Sequence, residues 1–225
     1  MTSILKIEQL ISGRNGNGLM KAFDSNIEQG ELLMLSGANG SGKSTLLKTI
    51  AGLIAPIHGK IYINGTAPGV NLQLSAKLLA FVNTDRVKED FISIEDLIKF
   101  GTFPYFNQTA APMINEHIEK ALNLMNIEHL RHKMLNRISD GEWQKANIAR
   151  ALVQNTPVVL MDEPGAFLDY PSKKELYNQL QNIAKKENRL FIVSTHDIEL
   201  ASVTGTLFWH IQNGTLTESK SAPIW

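Results

Sequence analysis

The chain has 225 residues, enough to bury a substantial core, and its 22 basic and 22 acidic residues leave no net charge. That balance argues against chain-wide attraction to nucleic acid or to an anionic membrane. There is no cysteine, so disulfides and thiolate metal sites are excluded, and the 43% apolar, 20% charged composition is that of a globular protein.

The start, MTSILKIEQL, lacks the basic and long apolar regions of a signal peptide, and no stretch approaches the ~20 apolar residues that span a bilayer. The expectation is a soluble chain that reaches a membrane only through a partner. Residues 4–10 alternate as a strand does, and GRNGNG reads as a turn-rich loop. LMKAFDSNIEQG reads as a strand pair, or as one strand with a turn. ELLMLS is a short apolar run of buried-strand type. STLLKTIAGL has helical spacing, KIYING is a strand entering an Asn-Gly turn, and LLAFV, residues 78–82, is a further strand.

From Ser93 the periodicity becomes helical. SIEDLIKFG has a serine cap, an acidic first turn and a closing glycine, and residues 113–135 continue amphipathically. GEWQKANIARALVQN is a helix leading to Pro157, followed by the strand VVLM. SKKELYNQLQNIAKKE is a helix, LFIVST a strand and DIELAS a short helix. TLFWHIQNGTLTES closes as a hairpin around Asn213-Gly214. Alternating strands and helices predict an α/β core with a mostly parallel sheet.

Four motifs carry chemistry. GANGSGKS, between a strand and a helix, fits the phosphate-loop spacing G-x-x-x-x-G-K-[ST]. Its glycines let the backbone curl around phosphate, and the helix start adds a positive dipole end. The candidate nucleotide contacts are Gly37, Ala38, Asn39, Gly40, Ser41, Gly42, Lys43, Ser44 and Thr45. Lys43 is placed to reach the terminal phosphates, and Ser44 to ligate magnesium. VVLMDEP ends a strand in two carboxylates. Asp162 suits the metal, and Glu163 the polarisation of an attacking water. An acidic pair after a strand also suits a solvated loop, and the phosphate loop upstream favours the catalytic reading.

His196 ends another apolar strand, at the kind of sheet edge where ligands collect. His58, His117, His129, His132 and His210 show no metal-ligand spacing and are assigned to surface or core. RISDGEWQKANIARAL reads either as a helix capped by Ser139 or Asp140, or as a second phosphate-binding helix terminus; the segment alone leaves both open.

Together these motifs resemble the ATP-binding subunit of an ABC transporter, over nearly the whole chain. GANGSGKS resembles the Walker A loop, VVLMDE the Walker B strand, and ISDGE the signature usually written LSGGQ. AFLD, ending at Asp169, resembles the D-loop, and His196 the switch histidine. The resemblance implies a P-loop NTPase core with a mostly parallel sheet, an N-terminal antiparallel β part and a helical subdomain at about residues 86–150. All of this would form one domain over residues 1–225. It implies ATP hydrolysis with Mg2+, with Lys43, Glu163 and His196 as catalytic residues. It also implies a head-to-tail dimer in which Ser139, Asp140, Gly141 and Glu142 act on the ATP of the second copy.

The implied partners are a transmembrane permease and, indirectly, a substrate-binding protein, with no nucleic acid. The implied location is the cytoplasmic face of the cell membrane. The pattern departs from the family at Asp140 and Glu142, where glycine and glutamine are usual. It departs at Thr84, which stands for the Q-loop glutamine and would offer its hydroxyl to the metal. It departs again near residue 14, where Arg14 replaces an aromatic and would stack on adenine through its guanidinium. FGTFPYFN, SDGE and AFLDYP resemble importers of iron-siderophore, haem or cobalamin type. The alternatives are another transporter class, including export, or a non-transport regulatory ABC ATPase.

Overall fold

The computed structural model describes residues 3–83, 85, 90–105 and 111–221. In chain order the elements are β1 (Leu5–Ile11), β2 (Gly13–Arg14), β3 (Asn17–Gly18), β4 (Phe23–Ile27), β5 (Leu32–Gly37), α1 (Lys43–Ile50) and β6 (His58–Ile63). Next come α2 (Leu72–Leu78), β7 (Leu79–Val82), α3 (Ile94–Phe100), α4 (Ala111–Leu124), α5 (Asp140–Val153) and β8 (Val158–Asp162). The chain continues with α6 (Tyr170–Glu187), β9 (Leu190–Ser194), α7 (Ile198–Thr204), β10 (Leu207–Gln212) and β11 (Thr215–Ser219).

The apolar runs pair as a six-stranded sheet in the order β11-β10-β5-β9-β8-β7, parallel except for the edge hairpin β10–β11. β4-β1-β6 form a separate antiparallel sheet. Continuous apolar runs suit a parallel sheet because both of its faces are covered. The period of two then sorts the side chains. Leu32, Met34, Val159, Met161, Phe191 and Val193 pack with α3, α4, α5 and α6 in one core. Leu33, Leu35, Leu160 and Ile192 face α1 and the antiparallel sheet in a second core. Because β5, β9, β8 and β10 run parallel, their C-terminal ends meet at one edge. The fold is therefore α/β with a mostly parallel sheet and an N-terminal antiparallel part.

Three details differ from the sequence expectations, while the stretch after GRNGNG follows its second reading, one strand, β4. GRNGNG is a two-rung ribbon, β2–β3, turning through Asn15 and Gly16 with φ of 51° and 80°. α2 has no amphipathic signal: Leu72 and Leu74 are exposed, and only Ser75 is buried. Asn71 starts it, its side chain accepting from the Leu74 amide at 3.0 Å.

Residues 113–135 are not one helix. α4 begins at Ala111 and ends at Leu124, where Asn126 turns left-handed with φ 54°. Two single 3-10 turns follow, at Glu128–Leu130 and Leu135–Arg137. Asparagine tolerates that conformation, and Ile127, Leu130 and Leu135 still return to the same core. The apolar rhythm thus outlives the helix.

Candidate nucleotide site

β5 delivers the glycine loop to the shared sheet edge. Gly37 has φ 151°, and a Cβ there would stand 2.8 Å from both the Ile211 carbonyl oxygen and Ser41 Oγ. Gly40 and Gly42 also take positive φ, 77° and 101°, so the loop has the turns its spacing requires. α1 starts at Lys43 with no side-chain cap and no acidic residue in its first turn. Its leading N–H groups are therefore left for an anion. Lys43 is buried, and its Nζ donates to the carbonyls of Gly37 (2.8 Å) and Ala38 (3.3 Å). Ser41 Oγ is buried with no hydrogen-bond partner among the described residues. Ser44 and Thr45 lie in the same first turn.

β8 and β9 supply the acidic side. Their register sets Asp162 beside Ser194. Ser194 Oγ donates to Asp162 Oδ1 (2.6 Å) and accepts from the Glu163 amide (2.9 Å). Glu163 takes a left-handed φ of 48°, which turns the chain sharply at the strand end. Its Oε2 lies 3.1 Å from His196 Nδ1, although 33 residues separate the two in sequence. The exposed His196 side chain and the loop Gly37–Ser41 line one open cleft of about 840 Å3. Among the described residues no three carboxylates or imidazoles converge as a metal cage. Asp162 and Ser44 fit a hard cation that takes its remaining ligands from phosphate and water.

Three contributors escape sequence reasoning. Ser194 is fully buried and reads only as the end of the strand LFIVS. Leu19 lines the cleft, where a side chain at Gly42 would meet it at 3.5 Å. His210, assigned above to surface or core, is buried on β10 and also lines the cleft. Its Nδ1 lies 3.0 Å from Ser36 Oγ, and burial lowers its pKa. Arg14 is exposed on the β2–β3 ribbon and is not among the cleft's lining residues. Thr84 lies outside the described residues.

At the start of α5 the cap is Ser139. Its Oγ accepts from the Glu142 amide (3.2 Å), while Glu142 Oε2 accepts from the Ser139 amide (2.7 Å). That bond from the Ser139 backbone holds the Glu142 carboxyl below its ordinary value, against the opposing effect of burial. Asp140 is an exposed first-turn residue, placed favourably for the helix dipole. Gly141 packs close to Leu168: a Cβ there would lie 3.3 Å from its Cδ2. Asp169 caps α6, accepting from the Ser172 amide at 2.9 Å. None of Ser139, Asp140, Gly141, Glu142 or Asp169 lines the cleft.

A strand–glycine loop–helix unit beside a carboxylate pair, on one edge of a parallel sheet, defines a nucleoside-triphosphate-binding protein of the phosphate-loop class. A family model for the ABC transporter matches residues 20–166. An uncharacterized ABC transporter ATP-binding protein of Methanocaldococcus jannaschii is 39% identical over 202 residues, covering 88% of this chain and 69% of that one. The petrobactin import ATP-binding protein YclP of Bacillus subtilis is 28% identical, covering 96% and 86%. The lipoprotein-releasing system ATP-binding protein LolD of Rickettsia bellii is 32% identical, covering 92% and 93%.

Among solved structures, cbiO1 from Clostridium perfringens, part of the ABC transporter complex cbiONQ, superposes with a TM-score of 0.85 at 26% identity, covering 98% and 89%. A bacterial ABC transporter cassette solved as a dimer gives 0.84 at 23%, covering 98% and 100%. The chain belongs to the ABC transporter family, as an ATP-binding, ATP-hydrolysing subunit. Among the described residues no helix is long and apolar enough to cross a membrane.

Proposed function

We propose that the chain powers uptake of a metal chelate, of iron-siderophore, haem or cobalamin type, by hydrolysing ATP at sites shared between two copies on a membrane permease. The observation that carries the hydrolytic reading is the 3.1 Å contact between Glu163 and His196, beside the phosphate loop. In this reading the Lys43 ammonium leaves the Gly37 and Ala38 carbonyls for the terminal phosphates. Ser44 and Asp162 hold Mg2+, which when bound neutralises phosphate charge. Glu163 accepts a hydrogen bond from the attacking water and orients it, and His196 steadies the terminal phosphate and the Glu163 carboxylate together.

Ser139, Asp140, Gly141 and Glu142 complete the site from a second copy. In support, a cassette of the same fold is solved as a dimer. The capping box turns Glu142 back onto Ser139. Asp140 is exposed in the first turn of the same helix. The helices α3, α4 and α5 form the insert that meets the permease, at the cytoplasmic face of the membrane, with a substrate-binding protein on the far side. The metal-chelate cargo is supported by the petrobactin relative and by the FGTFPYFN and AFLDYP segments. The lipoprotein-releasing relative supports a second reading, transport of another substrate.

Co-purification with the native permease tests the proposal. ATPase activity of the complex is expected to rise with a metal chelate and its binding protein. Stimulation by an unrelated cargo alone would favour the second reading.

A further inference from the structure

Away from the nucleotide cleft, a half-open cavity of about 260 Å3 lies between α4 and the segment joining α6 to β9. Its polar lining is His117 and Lys120 from α4, Asn155 after α5, and Glu187 and Arg189. At ~30 Å3 per water, that is room for roughly eight waters. None of these residues lines the nucleotide cleft.

Arg189 is only 5% exposed. Its Nε donates to the Thr156 carbonyl (2.8 Å) and its Nη1 to Glu187 Oε2 (3.3 Å). Its Nη2 has no acceptor among the described residues. Burial pulls the guanidinium pKa down, yet arginine does not give up its proton in proteins. The cation therefore stays buried with hydrogen-bonding capacity unspent.

Glu187, the one carboxylate of the lining, is already shared. Its other oxygen accepts from the Lys120 ammonium. Burial favours the neutral acid, but Lys120 and Arg189 outweigh it and hold the Glu187 carboxyl below its ordinary value. Two cations share one anion, so the wall carries a net positive charge even with His117 uncharged. His117, Val153 and Asn155 also line a neighbouring cavity of about 210 Å3 that reaches Tyr105.

We propose that this cavity binds a small oxyanion, a phosphate or a small carboxylate, through Lys120 and Arg189, with His117 and Asn155 as further hydrogen-bonding groups. Nη2 is sealed from solvent and the guanidinium lies 5.4 Å over the Phe191 ring, so a ligand reaches Nη2 only if the guanidinium turns. The oxyanion then joins α4 to the start of β9 and stiffens that junction.

The test is an NMR titration of the full chain with Mg-ADP saturating the phosphate loop, using inorganic phosphate in one arm and malonate in the other. Saturable shifts are expected at the amides of Asn155 and Arg189. In Lys120→Glu the affinity is expected to fall about tenfold or more, because a charge-assisted contact becomes repulsive. Lys185→Glu, the same charge change at an exposed site, is expected to leave affinity within about twofold. The stronger arm identifies the source of the oxyanion. Shifts that do not saturate in either arm, or equal loss in the two variants, would overturn the proposal.

Discussion

Ser194 shows how one buried hydroxyl sets two acidic groups at once. It donates to Asp162 and accepts from the Glu163 amide. Ser194→Ala leaves both without that partner, at a cost of about 1–3 kcal/mol in stability. Its kinetic signature is expected to be a lower kcat with ATP affinity held within about threefold, since the phosphate loop is untouched. A variant that loses ATP binding and keeps kcat would contradict this. Gly37→Ala works on the other side of the cleft. Its Cβ would meet the Ile211 carbonyl oxygen and Ser41 Oγ at 2.8 Å, in a backbone region L-residues avoid. Calorimetric titration with ATP is expected to show at least about tenfold weaker binding, and unchanged affinity would refute the strain argument.

The loop was legible in sequence because glycine spacing reports backbone geometry directly. Ser194 was not, because its role depends on strand register between β8 and β9, which no local pattern encodes. Leu19 and His210 escaped for the same reason: the cleft assembles them from distant strands and turns.

At the scale of elements, chemistry at helix ends was easier to read than helix length. SIEDLIKFG announces a serine cap and ISDGE offers Ser139 or Asp140; both form complete capping boxes on their serines. α2 went unread because Leu72 and Leu74 face solvent and only Leu78 packs on the core, and the end of α4 was hidden by an apolar rhythm that continues past it into the 3-10 turns that follow. Ser139→Ala is expected to cost about 1 kcal/mol in urea unfolding, as cap removals do.

The carboxyl of Glu142 adds a pH dependence. Its folded pKa lies below the ordinary 4.5, so its stabilisation is complete above that value and fades as pH falls through the folded value. The stability difference between the parent and Glu142→Gln is therefore expected to be largest near neutral pH and to shrink in acid. A difference constant from pH 7 to pH 3 would show that the ionised carboxylate contributes nothing beyond the amide.

For the whole molecule, alternation of strands and helices was enough to indicate the parallel sheet, and the sheet's single working edge follows from it. What no chain-order reading supplies is which halves of a site meet in space. The phosphate loop, Glu163 and His196 converge on one edge, while Ser139–Glu142 open a helix that does not line that cleft. In the proposed reading a second copy completes the hydrolytic site.

The most direct measurement is the solution mass of Glu163→Gln in saturating Mg-ATP, alone and combined with Ser139→Arg. Glu163→Gln is expected to retain ATP, lose turnover and double in mass from 25.0 kDa, and the added Ser139→Arg to return it to monomer with ATP still bound. A Glu163→Gln protein that stays monomeric with ATP bound, or one that turns over at the parent rate, would contradict the account.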